Sequence, residues 1–103
     1  MPDAPDAVLP PETVDAALSE RPTAWRREGD MLVLDVERGD FARALAFVNA
    51  VGGLAEAADH HPDVDLRWGR VTLRLSTHSA GGLTMKDLDL ARQVDGLLEQ
   101  GGA

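Results

Sequence analysis

The sequence predicts an α+β fold in which helices pack on one face of a four-stranded antiparallel sheet, in the order helix, two strands, helix, two strands, helix. Three features predict it. In residues 31–36 and 71–77, Leu32, Leu34 and Val36 and then Val71, Leu73 and Leu75 recur at every second position, the period of a strand with one face buried. Each is preceded by a short extended stretch and a glycine-containing turn, Gly29-Asp30 and Gly69-Arg70, so both read as hairpins. The segments between and after them carry apolar residues at helical spacing. A chain of 103 residues has room for one compact core, so a single domain over residues 1–103 is expected, with residues 1–9 as a flexible tail.

Taken in order, Pro10-Pro11 opens the first helix, because a first-turn amide has no helical partner to lose. Pro22 ends it by disfavouring helical geometry at Arg21. Strands follow over residues 25–28 and 31–36, with Leu32, Leu34 and Val36 on one face. Asp40 can cap the second helix, which runs to about Asp59 with Phe41, Leu45, Val48 and Val51 or Gly52 as its apolar stripe. Gly52-Gly53 inside it costs about 1 kcal/mol per glycine relative to alanine, and close approach of a neighbouring element would account for the pair. Pro62 stops helical geometry at His61. The second hairpin spans residues 64–68 and 71–77, pointing Val71, Leu73 and Leu75 one way and Thr72, Arg74, Ser76 and His78 the other. Gly81-Gly82 turns into the last helix, where Thr84 and Asp87 have capping-box spacing and Leu88, Ala91, Val94 and Leu98 form the stripe.

Composition excludes several function classes. The chain has no cysteine, which removes disulfides, thiol catalysis and cysteine-based zinc sites. A net charge of -8 with scattered basic residues works against binding a phosphate backbone or an anionic membrane. Residues 1–8 carry acidic and proline residues where a signal peptide would carry positive charge and then an apolar stretch. No apolar run reads as long enough to span a bilayer. A soluble cytoplasmic protein is expected, without nucleic-acid or membrane partners.

All three histidines, His60, His61 and His78, fall in one stretch of the chain that also holds titratable neighbours and sharp turns. Glu56 and His60 are four apart and share a helix face, where a carboxylate can orient an imidazole, and Asp59 sits beside them. A histidine exchanges protons near neutrality, its unperturbed pKa being about 6.5. Two of them on opposite sides of a substrate could serve as acid and base. Adjacent histidines point apart, so His60 and His61 are poorly placed to chelate one metal ion together, and no metal is expected.

The series Glu56-Ala57-Ala58-Asp59-His60-His61-Pro62, then Trp68, Thr77-His78, Gly81-Gly82-Leu83-Thr84 and Asp87, occurs in order. Five residues separate Pro62 from Trp68, nine separate Trp68 from His78, and eight separate His78 from Asp87. In this pattern the chain resembles the pterin-4a-carbinolamine dehydratases over residues 25–98. The resemblance implies an antiparallel four-stranded sheet covered by helices, with dimers formed through the sheet edge and sometimes tetramers. It implies hydro-lyase activity on 4a-hydroxytetrahydropterin, giving quinonoid dihydropterin within the recycling of a tetrahydrobiopterin-type cofactor. The reaction itself requires no metal, nucleotide or redox cofactor. By resemblance His60, His61 and His78 are catalytic or pterin-contacting, with Glu56 and Asp87 in support. The resemblance also implies that Glu56, Asp59, His60, His61, Ser76, Thr77, His78 and Ser79 contact the substrate, and it counts Asp87 with the catalytic residues. Two positions depart from the family pattern: Ser79, where an acidic residue is frequent, and Trp68, where tyrosine is common.

Each of these residues also has a structural explanation. His60 could face its helix C-terminus as a cation, His78 could be solvated, Glu56 could be a helix-surface carboxylate, and Asp87 could serve only as a cap. Trp25 and Trp68 read as packing residues. The competing functional reading is a non-catalytic interaction or assembly module on the same fold, a role some family relatives fill.

Overall fold

A computed structural model describes residues 7–100, and the expected tail residues 1–6 lie outside that range. Helix α1 spans Pro11–Ser19, with Pro10 as its cap and Pro11 in its first turn. Strands β1 (Arg26–Glu28) and β2 (Met31–Glu37) form the first hairpin, and Gly29 adopts a φ of 61° in its turn. Helix α2 (Phe41–Ala58), strands β3 (Asp63–Arg67) and β4 (Arg70–Leu75), and helix α3 (Met85–Glu99) complete the order expected from the sequence.

The strands form one antiparallel sheet in the order β1-β2-β4-β3. Its central register sets Leu32 beside Leu75, Leu34 beside Leu73 and Val36 beside Val71. That face packs with Val14, Trp25, Phe47, Leu88 and Leu90 into one core. The opposite face is charged: Asp35 accepts from the Thr72 hydroxyl and pairs with Arg26, while Arg70 pairs with Glu37. The alternation read from the sequence thus separates a helix-covered face from a polar one.

Two elements sit differently from the expectation. In α2 the buried stripe is Ala44, Phe47, Val51 and Ala55, whereas Phe41 and Leu45 are 48% and 41% exposed. The largest side chains suggest one stripe, but the alanine-containing series has the same helical period and lies about 100° round the helix. It lets α2 lie against β3, β4 and α3. At 18 residues and a mean hydropathy of 1.2, α2 is long and apolar enough to cross a membrane by length and composition, contrary to the sequence expectation. Its buried stripe nevertheless packs into the core.

The second hairpin turns at Trp68-Gly69, one residue earlier than expected. Gly69 lies against the backbone of the α2 entry, where a Cβ would come within 3.1 Å of both the Asp40 nitrogen and the Gly39 carbonyl carbon. Its own carbonyl accepts from the Arg38 N–H at 2.8 Å. The glycine is therefore needed for close approach, and Trp68 takes the positive φ of 51°. Trp68 is 69% exposed rather than packed, while Trp25 is buried as expected. A Gly69→Ala variant should lose about 1–3 kcal/mol of stability, the usual cost of forcing atoms into a filled space, readable by urea denaturation.

The glycine pair in α2 gives the opposite expectation. A Cβ at Gly52 or Gly53 would meet nothing within 4 Å, so no neighbouring element of this chain requires them. Gly52→Ala and Gly53→Ala should each stabilise the fold by about 0.5–1 kcal/mol through helix propensity, measured by the same denaturation. Val8 and Leu9, expected as tail, are held: the Leu9 N–H donates to the Leu83 carbonyl at 2.8 Å, and Val8 lies over Gly82.

Candidate active site

Two chain reversals bring the histidines together. Helix α2 ends at Asp59, which takes the left-handed conformation (φ 51°) of a helix C-cap, a geometry that Asp adopts more readily than most residues. Its N–H and that of His60 return to the carbonyls of Glu56 and Ala55. The chain therefore leaves the helix axis before the His-His-Pro sequence, and the two rings diverge. His60 turns inward and is buried; His61 remains exposed. On the other side, Thr77 bridges to Gly82, and the tight turn between them presents His78 and Ser79 to solvent.

The buried part of the site is a chain of hydrogen bonds centred on Asp87. His60 Nε2 lies 2.6 Å from Asp87 Oδ1, and the carboxylate is fully buried. Asp87 Oδ2 accepts from the Thr84 N–H at 2.9 Å and the Thr77 hydroxyl at 2.8 Å. Thr84 Oγ1 lies 2.8 Å from Thr77 Oγ1 and accepts from the Lys86 N–H at 3.2 Å. Because the Thr77 proton is committed to Asp87, the Thr84 hydroxyl donates to Thr77. Asp87 is thus both the N3 residue of the α3 capping box and the hydrogen-bond partner of His60.

Glu56 does not orient His60, as their four-residue spacing suggested. Its Oε2 pairs with His61 Nε2 instead, because the left-handed cap at Asp59 takes His60 off the helix face that Glu56 occupies. The pair is solvent-exposed, where such contacts contribute little to stability.

Residues 59–61 and 76–79 line one open cleft of about 310 Å3 together with Lys86, within the size range of small-molecule pockets. Of the residues expected to contact substrate, Asp59, His60, His61, Ser76, Thr77, His78 and Ser79 lie on it, and Glu56 does not. Asp87 stands behind His60 rather than on the cleft wall. Trp68 is not part of the wall. Lys86 was missed by sequence reasoning, and Thr84 was read there as a helix cap without its link to Thr77. Lys86 had left a signal, since it is the only lysine in the chain. Among the described residues, no group of three or more His, Asp or Glu is placed to hold a metal ion.

The family model for pterin 4 alpha carbinolamine dehydratase matches residues 7–97. The chain belongs to the pterin-4a-carbinolamine dehydratase family. A protein of Nocardia farcinica, placed by name among these dehydratases, is 50% identical over 90 residues, covering 87% of this chain and 94% of that one. Another, from Roseiflexus sp. (strain RS-1), is 51% identical over 87 residues, covering 82% and 94%. Among solved structures, the chain is similar to a transcriptional coactivator/pterin dehydratase from Brucella melitensis, with 27% identity and a TM-score of 0.81 over 87% of this chain and 97% of that one. It is also similar, at 27% identity and a TM-score of 0.61, to a pterin dehydratase-like protein identified as a RuBisCO assembly factor in the alpha-carboxysome, covering 73% of this chain and 89% of that one.

Proposed function

We propose that this chain is a hydro-lyase that removes water from 4a-hydroxytetrahydropterin to give quinonoid dihydropterin, with His60, His61 and His78 around the substrate. The observation that carries the reading is the contact of His60 Nε2 with the buried Asp87 carboxylate at the wall of the cleft. A neutral imidazole facing a carboxylate keeps its one N–H on the nitrogen that faces it. That leaves Nδ1 of His60 as the ring's acceptor and makes His60 the base. It takes the proton from the pterin N5 as the C4a–N5 double bond forms. An acid, His61 or His78, protonates the departing C4a hydroxyl, which leaves as water. Atoms and charge balance without a metal or redox partner.

The hydroxyls of Ser76 and Ser79 and nearby main-chain groups supply neutral hydrogen bonds to a flat heterocycle, while the Thr77 hydroxyl stays within the Asp87 network. In this reading the protein is a cytoplasmic homodimer or homotetramer, the free edges of β1 and β3 offering a surface for pairing. The test is to generate the carbinolamine in solution and follow its dehydration by absorbance with and without protein. Saturable acceleration supports the reading; an unchanged rate removes it.

A second reading, an interaction or assembly module, is favoured by one observation: Phe41 and Leu45 are exposed on α2, and one similar solved structure is that of an assembly factor. Under it, Phe41→Ser with Leu45→Ser abolishes the biological role and His60→Gln does not. Dehydration predicts the reverse.

A further inference from the structure

We propose that the segment before α1 belongs to the active-site scaffold, with Leu9 as a positioning residue that acts on His60 through the Leu83–Thr84 peptide group and Asp87. This inference rests on the reading of His60 as the base. The Leu9 N–H donates to the Leu83 carbonyl at 2.8 Å. The Thr84 N–H donates to Asp87 Oδ2 at 2.9 Å, and Asp87 Oδ1 lies 2.6 Å from His60 Nε2. The Leu83 carbonyl and the Thr84 N–H are the two ends of one peptide group, whose partial double bond holds them in a plane and pointing opposite ways. Leu9 therefore fixes one end of a rigid unit whose other end holds the carboxylate. A hydrogen bond accepted by the carbonyl also polarises the peptide and strengthens its N–H as a donor.

The sequence prepares the segment for this task. Pro10 keeps Leu9 out of helical geometry and is itself extended, with φ -60° and ψ 148°. Its carbonyl accepts from the Thr13 and Val14 N–H groups, and Val14 is fully buried in the core, so α1 holds the segment from behind. Val8 adds a second contact, since a Cβ on Gly82 would come within 3.0 Å of its Cγ1. The Gly82 carbonyl accepts from the Thr77 N–H at 3.0 Å, and the Thr77 hydroxyl donates to Asp87 Oδ2 at 2.8 Å. The Thr84 N–H and the Thr77 hydroxyl thus both stand on backbone that the segment touches. With both aimed at Oδ2, the other oxygen is left for His60. Small displacements of a proton-transfer group cost rate out of proportion to their size.

The experiment alters position 9 of the full chain. Leu9→Pro deletes the N–H in a segment that is already extended, and an amide-to-ester replacement deletes the same N–H while keeping the leucine side chain. Leu9→Ala keeps the N–H and trims the side chain. Deleting the N–H should lower kcat for dehydration about tenfold, the scale of one weakened hydrogen bond to a charged group, with KM changed less than about twofold. Leu9→Ala should stay within about twofold of the unaltered chain on both. In Asp87→Asn, which breaks the same path at the carboxylate, Leu9→Pro should cost no further rate. Proton–nitrogen spectra give a readout that does not need turnover. Loss of the Leu9 donor should move the Thr84 amide proton upfield and shift the His60 ring signals, whereas Leu9→Ala should leave both in place. If the proline variant does not fold, the ester carries the comparison. Equal losses in the alanine and ester forms would make the segment a packing element and overturn the proposal. So would multiplicative losses in the Asp87→Asn background, or Thr84 and His60 signals that ignore the missing N–H. If the unaltered chain accelerates no dehydration, the hydro-lyase reading falls and the Thr84 and His60 signals alone decide whether Leu9 positions the pair.

Discussion

Asp87→Asn is expected to lower the rate of dehydration by about 10² to 10⁴-fold while leaving the fold largely intact, the range that a positioned acid or base contributes. Two donors, the Thr84 N–H and the Thr77 hydroxyl, point at Asp87 Oδ2. An asparagine must keep its carbonyl oxygen there, which turns its NH2 group toward His60 Nε2. That nitrogen then has to accept, so the ring proton moves to Nδ1 and the proposed base becomes a donor. Each of these hydrogen bonds survives in reversed or equivalent form, and little stability is lost. His60→Gln should reach a similar rate by a different route, since its amide can still donate to Asp87 but cannot take a proton. Because both changes disable one unit, the double variant should be no slower than the worse single one. Rates measured for the three variants check this, and strictly multiplicative losses would count against a shared unit.

Asp87→Ala is expected to have the largest effect on stability of any single change at the site, about 2–5 kcal/mol. It removes the N3 member of the α3 capping box, while Thr84 remains as the N-cap. It also leaves buried donors on His60, Thr77 and Thr84 without their acceptor, and each such loss costs about 1–3 kcal/mol before any relaxation. Denaturation midpoints for the alanine and asparagine variants separate the two consequences. Alanine should lower the midpoint strongly and asparagine slightly, although both abolish most of the activity.

The element order and the inward face of each hairpin were legible in the sequence because aliphatic residues recur at every second position, at Leu32, Leu34 and Val36 and again at Val71, Leu73 and Leu75, although Val33 between them is buried as well. The capping box was legible because Thr84 and Asp87 have fixed spacing. The rotation of α2 was not, since Ala44 and Ala55 contribute to a buried stripe as well as larger residues do when a sheet lies close. The turn of the second hairpin slipped by one residue because the demand on Gly69 comes from the Asp40 backbone, 29 positions away in sequence. At the site, the stretches 59–61 and 76–79 singled out by local motifs lie on one cleft, but Lys86 was missed and pairing was misread. Glu56 and His60 fit one helix face only while the helix continues, and it stops at Asp59. The partner of His60 lies 27 residues further along the chain, a contact that only the folded topology creates.

The three imidazole rings of the chain give a direct readout of the central claim, that one flat pterin sits among all of them. Proton–nitrogen correlation spectra of the rings, recorded during titration with a dihydropterin, should show His60, His61 and His78 shifting together with one saturation curve. His60 should carry its proton on Nε2 throughout. Saturable binding that leaves the three rings unmoved, or a His60 proton found on Nδ1, would contradict the account.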